Sequence, residues 1–208
     1  MIRKYLTSAL SLPVIVLLVI AGHYIYDRPV AAVFYGAAGP VVWFFQNVTY
    51  LGESTWSLVG SGLLFFYYFY GVRKRQQASC IAYIFCSIAL SGIVTNIIKW
   101  FMGRWRPNVY VPEGLYGFQF FGAGYEQTSF PSGHATTICS LAFAMTVLFP
   151  RYRWVWGLVA ILVCMSRIVI GAHYTSDVLM GAYVGIFIAF LLRKVPLFGT
   201  SIKEDASS

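Results

Sequence analysis

Six apolar runs constrain this chain more than any other feature: residues 6–21, 55–72, 78–98, 135–149, 154–170 and 178–192. A helix needs about 20 predominantly apolar residues to cross the hydrocarbon core of a bilayer. Charged residues make up 11% of the chain, against about 25% in a soluble domain. Mean hydropathy is +0.70. The expected fold is therefore all-α, a polytopic membrane protein with six transmembrane helices packed as a single domain over residues 1–200. The fourth and sixth runs are short unless their first turns take in residues 132–134 and 175–177. Those polar residues then sit in helix mouths at the membrane edge.

Residues 30–45 form a seventh apolar candidate, broken by Gly36, Gly39 and Pro40. Charge placement decides how it is read. With six crossings, Arg3/Lys4, Arg73–Lys74–Arg75, Arg151/Arg153 and Arg193/Lys194 all fall on one side, which the positive-inside rule makes cytoplasmic. A crossing at 30–45 would separate the first cluster from the rest. The segment is read as interfacial or re-entrant, and both termini as cytoplasmic. The first apolar run has no small-residue cleavage site after it and is read as a retained span. The polar tail at 201–208 is expected to be disordered.

The net charge of +8 is explained by topology and anionic headgroups rather than by nucleic acid, for which no motif is visible. Cys80, Cys86, Cys139 and Cys164 lie inside apolar runs without metal-ligand spacing and read as packing residues. The inferred topology leaves one anomaly. The loops after the third and fifth runs, outside the cytoplasmic face, carry Lys99, Arg104, Arg106, His134, Arg167, His173 and Asp177. Such a cluster of cations calls for an anionic substrate.

Three polar segments hold the chemistry. In residues 99–107, Lys99 and Arg106 share a face if helix continues that far; a point charge and a planar fork both suit phosphate. The plainer reading is cations snorkelling at a helix end, and Arg104 and Trp105 read as interface anchors. In residues 131–134, Ser132 and Gly133 open a helix whose free N–H groups can cradle a phosphate, with His134 beside it; a simple cap is the alternative. In residues 166–177, Arg167 precedes His173 and Asp177, four apart and on one face if helical. Asp177 is also a candidate helix cap. His23 reads as an interface residue. Glu113 and Glu126 lie away from these motifs, so no carboxylate cluster suited to a metal is visible and no cofactor is called for.

The pattern of Lys99 with Arg106 and Pro107, then Pro131, Ser132, Gly133 and His134, then Ser166, Arg167, His173 and Asp177 resembles the type 2 phosphatidic acid phosphatase superfamily, related to vanadium haloperoxidases. The resemblance spans residues 99–177. It implies a membrane lipid phosphatase, with His173 as nucleophile and Asp177 holding its Nδ1–H. His134 would serve as proton donor and then base, and Lys99, Arg106, Ser132, Gly133 and Arg167 would bind phosphate. Candidate substrates are undecaprenyl pyrophosphate, phosphatidylglycerophosphate, phosphatidic acid and lipid A 1-phosphate. A phosphotransferase using the same phosphohistidine, or an anion transporter, are the alternatives. The aromatic loop at 116–125 is either a lipid portal or an interfacial belt.

Overall fold

A computed structural model describes residues 2–122 and 124–198; the tail at 201–208 lies outside them. Among the described residues the chain is helical, with one isolated antiparallel bridge, Arg104 to Phe118. The principal helices are α1 (Ile2–Ala21), α2 (Asp27–Phe34), α3 (Pro40–Val48), α4 (Ser54–Phe66), α5 (Arg75–Met102), α6 (Pro107–Glu113), α7 (Gly133–Leu148), α8 (Arg153–Val169) and α9 (Thr175–Leu192).

Four stretches are long and apolar enough to cross a membrane: Ser11–Phe34, Arg75–Met102, Pro150–Val169 and Thr175–Leu192. The other two expected spans are shorter. Helix α7 has 16 residues, and α4 has 13 before a π-helical turn at Tyr67–Gly71 carries it on. The first helix differs most from its apolar run. It does not stop near Ala21 but continues through a π-helical turn, Gly22–Tyr26, into α2. The segment 30–45 is split between two elements. Its first part closes α2; Gly36 and Gly39, at φ +68° and +105°, turn the chain, and Pro40 opens α3.

Helix α7 is the centre of the bundle, packed against α5, α8 and α9. Its small side chains permit this: Ala135, Ala142 and Ala144 are buried beside Ile138. Across from it, a Cβ on Gly181 would collide with the Ser132 carbonyl and one on Gly185 with that of Thr136. Bare backbone at those two positions lets α9 lie directly on α7. Polar ties cross the bundle: Thr95 to Thr136 at 3.0 Å, and Tyr83 Oη donating to the Ala189 carbonyl at 3.0 Å. Large apolar side chains such as Leu17, Leu63, Ile161 and Trp154 point outward, as lipid-facing residues do. The C-terminal ends of α5 and α8 and the N-terminal ends of α7 and α9 meet at one end of the bundle, joined by the long 103–132 connection.

Candidate active site

Helix α5 ends at Gly103, whose left-handed backbone (φ +49°) caps it through a bond to the Lys99 carbonyl. Lys99 and Arg106 therefore do not stack along a continuous helix. Residues 104–106 run extended instead, pinned between two strips of the following loop. Trp105 N–H donates to Gly117 O and Arg106 N–H to Glu126 O, while Ser129 N–H donates back to Arg104 O. Loop carbonyls then aim the cations. Lys99 Nζ donates to Thr128 O at 2.7 Å, and Arg106 Nε to Tyr125 O at 2.8 Å, with the guanidinium 4.0 Å above the Tyr125 ring.

Ser132 caps α7, and its backbone N–H is bonded to the carbonyl of Asp177, so the openings of α7 and α9 are tied together. The first-turn N–H groups of α7 lack intrahelical partners. Ser132 Oγ and Arg167 Nε are buried and find no partner among the described residues. Arg167 Nη1 donates to Thr49 Oγ1 at 2.6 Å. These are groups ready for an oxyanion. His134 lies one residue into α7, against Gly52, where an added Cβ would come within 3.2 Å of the His134 Cβ.

His173 sits in the turn between α8 and α9. Gly171 (φ +67°) reverses the chain there, and the Arg167 carbonyl accepts from both Ala172 N–H and His173 N–H. The His173 Nδ1 lies 2.8 Å from the Ser129 carbonyl. A carbonyl can only accept, so Nδ1 carries the proton and Nε2 keeps its lone pair. That Nε2 faces Arg106 Nη1 at 3.5 Å. Asp177, expected to hold the imidazole directly, stands 3.7 Å from Nδ1, at ion-pair rather than hydrogen-bond distance. Its Oδ2 accepts instead from Ser129 Oγ at 2.5 Å and Tyr174 N–H at 2.9 Å. The bond from Tyr174 N–H makes Asp177 a cap of α9.

The expected site residues come together. Lys99 and Arg106 lie within electrostatic range of both His134 and His173. Among the described residues no group of three His, Cys, Asp or Glu could hold a metal ion. Burial holds the His173 imidazole well below the usual imidazole range; Lys99 and Arg106 push the same way and Asp177 opposes them. His173 is then neutral at pH 7. With His173 as the nucleophile proposed below, protonation of Nε2 removes its lone pair, and activity falls as pH falls through this lowered value. The acid limb of kcat/KM is expected well under the free imidazole value of about 6.5; a pH–rate profile already falling at or above that pH would contradict it.

Four residues behind Asp177 were missed or misread. Arg104 is no interface anchor. It is fully buried and holds Asp177 Oδ1 at 2.5 Å and Asp27 Oδ2 at 2.8 Å, because the turn at Gly103 sends it inward to two carboxylates. His23, read as interfacial, accepts at Nδ1 from Arg104 Nη2 at 2.9 Å, and Tyr116 Oη, 3.1 Å from the same nitrogen, donates to the His23 carbonyl. Asp27 carried a signal in the sequence, an acidic residue in the continuation of an apolar span. Ser129 carried none: its hydroxyl reaches Asp177 across 48 positions and its carbonyl reaches His173 across 44, which no local spacing marks. The aromatic loop divides: Tyr116 and Phe118 pack on Arg104, while Phe120, Phe121 and Tyr125 are exposed, Phe121 beside Trp100 and Tyr125 under Arg106.

A helical bundle in the membrane whose open end gathers cations, a helix N-terminus and two histidines defines a membrane lipid phosphatase. The chain belongs to the PAP2 superfamily, whose family model matches residues 80–199. It is 35% identical over 183 residues to a lipid A 1-phosphatase of Rhizobium johnstonii, covering 83% of this chain and 74% of that protein. It is 29% identical over 148 residues to an undecaprenyl-diphosphatase of Sulfolobus acidocaldarius, covering 71% and 66%. Among solved structures it resembles the crystal structure of Aquifex aeolicus LpxE, with a TM-score of 0.62, 22% identity and coverage of 81% of this chain and 94% of that one.

Proposed function

We propose that this protein removes the 1-phosphate from a lipid A-type glycolipid through a phosphohistidine. The chemistry is carried by one observation, the 2.8 Å approach of His173 Nδ1 to the Ser129 carbonyl: it calls for the proton on Nδ1 and leaves the Nε2 lone pair facing the cations. The substrate class is supported by the 35% identity to a lipid A 1-phosphatase across most of both chains.

In this reading His173 Nε2 attacks phosphorus as the bond to the lipid oxygen breaks, and His134 gives that oxygen a proton. Water then attacks phosphorus, His134 takes its proton, the N–P bond breaks and inorganic phosphate leaves. Lys99, Arg106, Arg167, Ser132 Oγ and the Gly133 N–H stabilise the equatorial oxygens. In this reading α4 and α7 also cross, making six spans; the termini are cytoplasmic by the positive-inside rule, and the site faces outward from a bacterial inner membrane.

The test is phosphate release by purified protein in detergent, with and without EDTA, from lipid A 1-phosphate, undecaprenyl pyrophosphate, phosphatidylglycerophosphate and phosphatidic acid. The highest kcat/KM is expected on lipid A, undiminished by the chelator. A preference for another lipid sinks the substrate assignment; release from none sinks the phosphatase reading.

A further inference from the structure

The His173 ring lies between two groups of opposite charge. Its Nε2 faces Arg106, with Lys99 close by; its Nδ1 faces Asp177 at 3.7 Å. Yet Asp177 is also bonded to Arg104 at 2.5 Å, and that guanidinium opposes the negative field that Asp177 presents to the ring. A buried arginine needs only one carboxylate to be neutralised. Here a second is supplied from the first helix: Asp27, 1% exposed, accepts from Arg104 Nη2 at 2.8 Å and from Ser176 N–H at 3.0 Å, and its other bond is to Ser176 Oγ. Arg104 and the two carboxylates sum to −1, and among the described residues the aspartates pair with Arg104 and, for Asp177, with His173 once that ring is charged.

We propose that Asp27 is a positioning residue for phosphoryl transfer: by neutralising Arg104, it leaves the charge of Asp177 free to stabilise the cationic His173 that forms when Nε2 takes up the phosphoryl group. The proposal rests on His173 being the nucleophile. The ionisable groups that act on that ring are Lys99 on α5, Arg106 after it and Asp177 on α9; Glu126 acts on Arg106, and Arg167 on His134. Asp27, His23 and Arg104 stand behind Asp177. Of these, Asp27 is the one that sets the sign of the cluster without facing the phosphate.

Charge compensation tests this. Asp27→Asn leaves the Arg104–Asp177 pair neutral and is expected to lower kcat on the lipid substrate about 10-fold or more, with KM within about twofold. Adding Arg104→Gln returns the cluster to −1 and is expected to recover most of that loss. A merely structural role makes the double variant no better than the single. The second readout needs no substrate: titration of labelled histidine by NMR in detergent, with three histidines to assign. The His173 midpoint is expected to fall by about half a unit or more in Asp27→Asn and to return in the double variant. An unmoved midpoint, or a double variant at or below the single, overturns the proposal. If Asp27→Asn does not fold, the double variant decides alone: a midpoint at the wild-type value supports the proposal, and one displaced downward overturns it. Absence of phosphate release from wild-type protein would instead strike the phosphatase reading, and the titration would still stand.

Discussion

Replacing His173 with alanine is expected to reduce phosphate release by about 10⁴-fold or more while lipid binding persists. The two effects separate because the groups proposed to hold phosphate and the proposed nucleophile come from different elements. Lys99 is held by Thr128 O and Arg106 by Tyr125 O, both independent of the imidazole. Ser132 and the first turn of α7 are fixed by the bond from Ser132 N–H to Asp177 O. Removing the ring therefore leaves the anion cradle standing but without a nucleophile. Equilibrium binding of a labelled lipid phosphate and single-turnover phosphate release, measured on the same preparation, check this. Turnover within about tenfold of wild type would rule out covalent catalysis at His173.

Replacing Arg104 with alanine is expected to destabilise the fold by about 3–5 kcal/mol, the usual effect of removing one partner from a buried ion pair. Here two carboxylates are stranded at once, each with no exposure to water. The guanidinium also fills a box of rings, lying 4.4 Å from the centre of Tyr174 and within 5.5 Å of those of Tyr116 and Phe118. Lysine should not rescue it, because one ammonium cannot reproduce a fork that reaches Asp177 with one nitrogen and Asp27 with the other. Thermal unfolding in detergent, followed by loss of the monodisperse species, reports the change. An Arg104→Ala protein as stable as wild type would mean that the carboxylates find other partners.

The candidate site residues were legible because each lies in a short run of unusual composition. Ionisable groups between apolar spans stand out, and PSGH at 131–134 has both a cap and a glycine where an anion would approach. The supporting layer was not legible. Asp27 meets Arg104 across 77 positions, and no local spacing announces such a pair. The partner of His173 Nδ1 is a backbone carbonyl, which every residue possesses, so nothing in Ser129 as a letter marks it. The first span was read short because His23, Asp27 and Arg28 end its apolar run, whereas the helix continues past them through a π-helical turn, with His23 and Asp27 turned toward Arg104. The shared face for Lys99 and Arg106 failed for the opposite reason: Gly103 stops the helix earlier than apolar patterning suggested, and an extended strip delivers Arg106 instead.

The reach of Asp27 to Ser176, 149 positions away, bears on biogenesis. Synthesis proceeds from the N-terminus, so the first helix enters the bilayer long before α9 or Arg104 has been made. Throughout that interval its carboxylate has neither of its eventual companions. Arg104 follows first, and the Asp27 bonds to Ser176 can form only once the start of the last helix has been made.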